Sequence, residues 1–99
     1  MREEAAVYGT MARMRVKDGK FDQLMAQSRE DGQQIEGSDW HILRLDSDAN
    51  EVILFVVFES KEAYRANANS PEQDARYRRM RELLEKDPEW HDGEIFAQT

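Results

Sequence analysis

The sequence predicts an α+β fold: a ferredoxin-like β-α-β-β-α-β sandwich whose sheet packs on that of a second copy to give a dimeric α/β barrel. Three observations lead there. Residue patterning switches between strand and helix in the order strand, helix, strand, strand, helix pair, strand. Val52 to Phe58 are seven apolar residues in succession, whereas a strand with one wet face alternates apolar and polar. The 99 residues offer no further segment to cover that strand's second face.

The first strand is expected over 6–16, "AVYGTMARMRV". Tyr8, Thr10, Ala12, Met14 and Val16 share one face, with Val7, Gly9, Met11, Arg13 and Arg15 on the other. Asp18 and Gly19 break it. Phe21, Leu24, Met25, Ser28 and Ile35 follow at helical spacing, Gly37 stops that helix, and Gly32 weakens its last turn. "DWHILRL" (39–45) is the second strand and "DSDAN" a turn whose short polar side chains bond the local backbone. The third strand, 51–59, completes a hairpin. Ser60 caps a helix carrying Ala63, Tyr64, Asn67 and Ala68. In "SPEQ", Ser70 caps a second helix, Pro71 takes its first position and Gln73 closes a capping box. Tyr77, Met80, Leu83 and Leu84 form its apolar stripe up to Asp87-Pro88, and "EWHDGEIFA" (89–97) is the last strand.

In such a sandwich the helices cover one face of the sheet. With Ile53, Phe55 and Val57 against them, Val52, Leu54, Val56 and Phe58 point away. Burying four such side chains is worth roughly 6–12 kcal/mol at most, against about 5–15 kcal/mol for the stability of a whole domain. A two-fold-related copy is the commonest cover, so a homodimer is expected.

Composition narrows the function. Charged residues are 35% and apolar residues 39% of the chain, as in a folded protein. The net charge of -7 repels phosphate, so neither nucleic acid nor an anionic membrane is an expected partner. No apolar run of membrane-spanning length and no secretion signal are evident. Without cysteine there is no disulfide framework, thiolate nucleophile or cysteine-zinc site. A cytoplasmic location is the resulting expectation.

"VKDGKFDQL" after the first strand, "VVFESKEAYRANANSPE" after the third and "PEWHDGEIF" at the end resemble the antibiotic biosynthesis monooxygenase family over nearly the whole chain. The shared motifs are short: a Gly opening the first helix, Phe58-Glu59-Ser60, and Ser70-Pro71. The resemblance implies a dimeric barrel with a ligand pocket between sheet and helices. Some members oxygenate aromatic polyketides without metal or flavin; others degrade haem, isomerise or hydrolyse. Family members often carry Trp where this chain has Phe58, and His or Trp where it has Asn67. Haem-degrading relatives use an Asn, a Trp and a His at positions matching Ala12, Asn67 and Arg76, none of which is retained. A guanidinium has no lone pair for iron, so haem degradation is disfavoured.

Cofactor-free oxygenation needs a proton acceptor, donors aimed at a developing oxyanion, and aromatic walls. Asn67 is the first candidate donor, with His41 and His91 as general bases. Tyr8, Arg13, Phe58, Tyr64, Arg76 and Tyr77 are the candidate substrate-binding residues. Tyrosines at such positions are more often amphipathic core edges, and Arg13 is expected to pair with a carboxylate such as Glu59 inside the dimer. No cofactor or metal is expected, and the ligand is a hydrophobic or aromatic small molecule. The alternative is a non-catalytic binding protein on the same fold.

Two further motifs have bland readings. "DWH" (39–41) and "EWH" (89–91) lie on the two edge strands; a His41, His91 and Asp92 metal site is conceivable across a dimer, but packing at an interface rim is the commoner role. In "RYRRMR" every arginine has an acid within one helical turn (Glu72, Asp74, Glu82, Glu85), the pattern of a solvated, salt-bridged face.

Overall fold

The computed structural model describes residues 7–96. The elements are β1 (Val7–Arg15), α1 (Phe21–Gln34), β2 (Ser38–Arg44), β3 (Glu51–Phe58), α2 (Lys61–Ala68), α3 (Pro71–Arg81) and β4 (Glu89–Ile95). The strands form one antiparallel sheet in the order β2-β3-β1-β4, the ferredoxin-like arrangement. Ala6 and Ala97, at the outer ends of the first and last expected strands, lie outside the described residues.

The two faces of β3 are the reverse of the expectation. Val52, Leu54, Val56 and Phe58 are buried against the helices, and Ile53, Phe55 and Val57 look the other way. Register is the cause. β1 pairs Met14 with Val52, Ala12 with Leu54, Thr10 with Val56 and Tyr8 with Phe58, and residues directly opposite each other share a face. Arg13 and Arg15 keep the odd-numbered face of β1 away from the core, so its even face and that of β3 go under the helices together. The uniform apolar run of β3 carries no such signal.

Leu24 of α1, Met80 of α3, and Leu83 and Leu84 beyond it complete the core. α3 ends at Arg81, earlier than its apolar stripe suggests. Leu83 and Leu84 belong instead to a following turn, in which Leu84 bridges to Val16. α1 runs through Gly32, which lies beside the indole of Trp40, where a Cβ would make an ordinary contact at 3.4 Å.

The arginines of α3 do not form the expected ladder of local ion pairs. Only Arg78 meets its acid one turn away, Asp74 at 3.0 Å. Arg81 reaches Asp87 at 2.7 Å, Arg79 reaches Asp31 of α1 at 3.4 Å, and Arg76 turns inward and is buried.

Asp31 is 5% exposed. Burial pushes its carboxyl above the ordinary aspartate value, with the Arg79 and Arg76 charges opposing. A folded-state pKa above the unfolded one means that this group favours the folded state at low pH, and the contribution is lost as pH rises through the folded pKa. Asp31→Asn, which stays neutral, is therefore expected to match the parent chain in urea denaturation at about pH 3 and to be the more stable at about pH 7. A parent chain that is the more stable at both pH values contradicts this assignment.

Candidate functional site

A cleft of about 440 Å³ lies between the helix-facing side of the sheet and the pair α2 and α3, within the usual size range of small-molecule sites. Its floor follows from strand register. Trp40, Val56, Thr10 and Asp92 are successive partners across β2, β3, β1 and β4, and Ile42, Leu54, Ala12 and Trp90 form the next row. All four residues of the first row line the cleft, as do Leu54 and Trp90 of the second. Tyr64, Asn67 and Ala68 of α2 and Gln73, Asp74 and Tyr77 of α3 form the roof.

The roof is fixed by its caps. Ser60 Oγ accepts from the Ala63 N–H at 3.0 Å and starts α2. Ser70 Oγ accepts from the Gln73 N–H at 3.1 Å and donates to the Asn67 carbonyl at 2.8 Å, so one hydroxyl begins α3 and closes α2. The Gln73 side chain does not return to Ser70 as a capping box. Its Oε1 instead accepts from Asn67 Nδ2 at 3.2 Å and from Arg76 Nε at 3.1 Å.

Arg76 holds this corner from behind. Its Nη2 donates to Asn67 Oδ1 at 3.0 Å and its Nη1 to Gln34 Oε1 at 3.2 Å. A guanidinium has only donors, so the Asn67 oxygen must face it and the amide nitrogen must turn away. One Asn67 N–H goes to Gln73; among the described residues the other has no protein partner, and the residue lines the cleft.

On the floor, Asp92 accepts from the Thr10 hydroxyl and from the Tyr64 hydroxyl, the latter at 2.8 Å. The second bond ties α2 to β4. Burial, and then the Asp92 carboxylate beside it, push the Tyr64 hydroxyl up to about 12, so it remains a donor at neutral pH. Tyr64 also packs on Phe58 edge to face at 5.4 Å between ring centroids.

Of the candidate residues, Asn67, Phe58, Tyr64 and Tyr77 line one cleft. The other candidates do not. His41 and His91 pair with Phe55 and Met11 on the open face of the sheet, so neither is a base for the cleft. They pair with acids of their own strands, Asp39 at 3.5 Å and Glu89 at 3.8 Å. Arg13 is also on the open face, bound to Glu51 at 3.0 Å rather than to Glu59. Arg76 supports the cleft without lining it, and Tyr8 is buried beside Tyr64 at 5.0 Å between rings. The conceived metal site fails on the pleat: Asp92 and His91 project from opposite faces of β4, and no group of three metal-ligating side chains occurs among the described residues. With no imidazole in the cleft lining, haem iron would also find no histidine there.

Asp92, Thr10, Trp40, Trp90 and Gln73 were not singled out for the cleft by sequence reasoning. The signal was present in "DWH" and "EWHD". Period-two alternation puts Trp40 on one face and His41 on the other, and Trp90 with Asp92 opposite His91.

No family model matches the sequence, and no curated protein is significantly similar to it. Among the described residues no helix is long and apolar enough to cross a membrane. Solved structures do match. A protein from Chloroflexus aurantiacus J-10-fl, named for the antibiotic biosynthesis monooxygenases, is 21% identical with a TM-score of 0.77, covering 94% of this chain and 96% of its own. One of the same name from Nitrosomonas europaea is 14% identical with a TM-score of 0.80, covering 100% and 99%. A variant of SnoaB, a cofactor-independent oxygenase from Streptomyces nogalater, is 17% identical with a TM-score of 0.73, covering 96% of each chain. The chain therefore has the ferredoxin-like α+β fold of structures named for the antibiotic biosynthesis monooxygenases.

Proposed function

We propose that the cleft binds an electron-rich aromatic or quinone-like molecule and oxygenates it without a bound cofactor. One observation carries this reading: a carboxylate, Asp92, and an oriented amide donor, Asn67, share one apolar cleft with five aromatic side chains, Trp40, Phe58, Tyr64, Tyr77 and Trp90. SnoaB, named as a cofactor-independent oxygenase, has the same fold.

The chemistry requires the substrate to supply the electrons. Take an anthrone, in which a CH₂ group lies across a ring from a conjugated carbonyl. The Asp92 carboxylate removes one proton from the carbon, and the C–H electron pair passes into the ring system. Negative charge then builds on the carbonyl oxygen, where the free Asn67 N–H donates. The anion reduces O₂. The carbon takes one oxygen atom as a new carbonyl, the other leaves as water with both hydrogens of the CH₂, and four electrons pass from carbon to oxygen. Tyr64 stays protonated throughout and steadies Asp92.

The chain is further proposed to act as a homodimer through its open sheet face. Met11, Leu43 and Phe55 are exposed there, and Ile53, Val57, Val7 and Ile95 are half-buried. With β3 turned this way, Ile53, Phe55 and Val57 form the apolar surface that a second copy would cover.

A second reading is a binding protein without turnover. Asp92 already accepts two hydrogen bonds from its own chain, as a purely structural acceptor does. Oxygen consumption with a panel of anthrones and hydroquinones separates the two. It is expected to exceed the buffer rate, to fall at least about tenfold in Asn67→Ala, and to fall about 100-fold in Asp92→Asn. Saturable binding of the same compounds with no uptake overturns the oxygenase reading in favour of the binding one.

A further inference from the structure

We infer that Asp92 sets the charge selectivity of the cleft: it takes ligands that present an O–H or N–H donor and carry no negative charge, and it rejects aromatic carboxylates. This deepens the proposed function, and rests on its claim that the cleft holds an aromatic molecule.

Charge in the lining is one-sided. The two ionisable acids are Asp92 and Asp74, and no lysine, arginine or histidine lines the cleft. Asp74 is neutralised on the outside of the roof by Arg78 at 3.0 Å. Asp92 has no such partner: among the described residues no basic side chain lies within ion-pair distance, and its two contacts are neutral hydroxyls. Arg76, the basic side chain behind the roof, has its fork spent on the amide oxygens of Gln73, Gln34 and Asn67.

Position makes this charge felt by a ligand. Asp92 closes the floor row that runs from Trp40 through Val56 and Thr10, and Trp90 stands beside that row. A flat ring lying on Val56 and Leu54 between the two indoles would present one edge to the carboxylate. Thr10 and Tyr64 hold the carboxylate in place, and an anion has about four acceptor sites, so positions remain for a ligand donor. A ligand carboxylate at the same edge would meet like charge, with no donor but the two hydroxyls already engaged. At the other side, the free Asn67 N–H donates to a carbonyl or ether oxygen. The preferred ligand therefore has a donor at one edge and an acceptor at the other. An ammonium group is favoured further, by the carboxylate and by the aromatic faces around it.

The test uses three probes of one shape: 2-naphthol, 2-naphthylmethylammonium and 2-naphthoate. Binding is followed at pH 7 by quenching of Trp40 and Trp90, the chain's two tryptophans. The first two are expected to bind at least about tenfold more tightly than the naphthoate. In Asp92→Asn the preference is expected to shrink to within about threefold, chiefly through tighter naphthoate binding. Asp74→Asn, which leaves the Asp92 charge in place, is expected to keep it. Should Asp92→Asn not fold, salt provides the same answer on the parent chain. The ammonium-over-naphthoate ratio is expected to fall as ionic strength rises to about 1 M, and a ratio that salt leaves unchanged overturns the inference. So does equal binding of naphthol and naphthoate, or a preference that survives in Asp92→Asn. Binding without discrimination overturns this inference alone; binding of none of the three overturns the proposed function with it.

Discussion

Phe55→Glu is expected to convert a dimer into a species of half its mass in sedimentation or light scattering at micromolar concentration. The open face of the sheet is the reason. Across its middle row run His41, Phe55, Met11 and His91, and the rows on either side add Leu43 with Ile53, and Val57 with Gly9. Phe55 is 37% exposed, Met11 36% and Leu43 57%. Gly9 lets the Phe55 ring and Ile95 lie over the backbone, since a Cβ there would stand 3.3 Å and 3.1 Å from them. The result is an apolar patch over β1 and β3, bordered by His41 and His91 on the edge strands and by Arg13, paired with Glu51, in the row beside it. Full burial of a Phe is worth about 1.5–3 kcal/mol, of which roughly a third is still to be gained at a residue 37% exposed, and a two-fold interface contains it twice. Losing both, with a carboxylate left unpaired in each copy, weakens association by about two orders of magnitude or more, most of it from the buried carboxylates. Phe55→Leu, still apolar, is expected to remain dimeric. A parent chain that is folded and monomeric at this concentration removes the dimer from the proposal.

The fold was legible because its punctuation is chemical and local. Ser60 and Ser70 cap the helices that their sequence contexts predict. In the "DSDAN" turn, Asp48 accepts from the Asn50 N–H at 3.0 Å, the local bond that such residues favour. Which face of β3 turns inward was not legible from β3 itself, because seven apolar residues look alike from either side. The answer lay in its neighbour, through the arginines on the odd face of β1. At the site, Asn67 and the tyrosines of the roof were found from helical spacing and resemblance, whereas the histidines drew attention for their chemistry at the expense of the pleat. His41 and His91 each follow a Trp that faces the cleft, so each must face away. Asp92 was overlooked as a cleft residue because a lone acid in a chain with 21 of them carries no mark. Its partners Thr10 and Tyr64 come from distant parts of the chain, and only the fold assembles them.

Arg76→Leu is expected to cost about 1–3 kcal/mol of stability in urea denaturation, because it takes the charged donor away from the half-buried amide oxygens of Asn67 and Gln73 and leaves the Asn67 oxygen with none. Arg76 is 8% exposed and meets no carboxylate at hydrogen-bond distance; its partners are Gln73, Gln34 and Asn67 at 3.0 to 3.2 Å. Lysine cannot replace it in full, since one ammonium cannot bridge three oxygens with the spread of a planar fork. Arg76→Lys is therefore expected to recover less than half of the loss. The effect should reach beyond stability. Arg76 is a positioning residue for Asn67: it fixes the amide with oxygen inward, and without it a flip presents the cleft with an acceptor where the oxyanion needs a donor. Under conditions where each variant is folded, Arg76→Leu is expected to lower oxygen uptake to about the level of Asn67→Ala, and the double variant to fall little further, since two changes to one device do not add. Independent, multiplying losses in the double variant would mean that Arg76 acts on the cleft by some route other than the Asn67 amide. An unchanged rate in Arg76→Leu would leave it a structural cation only.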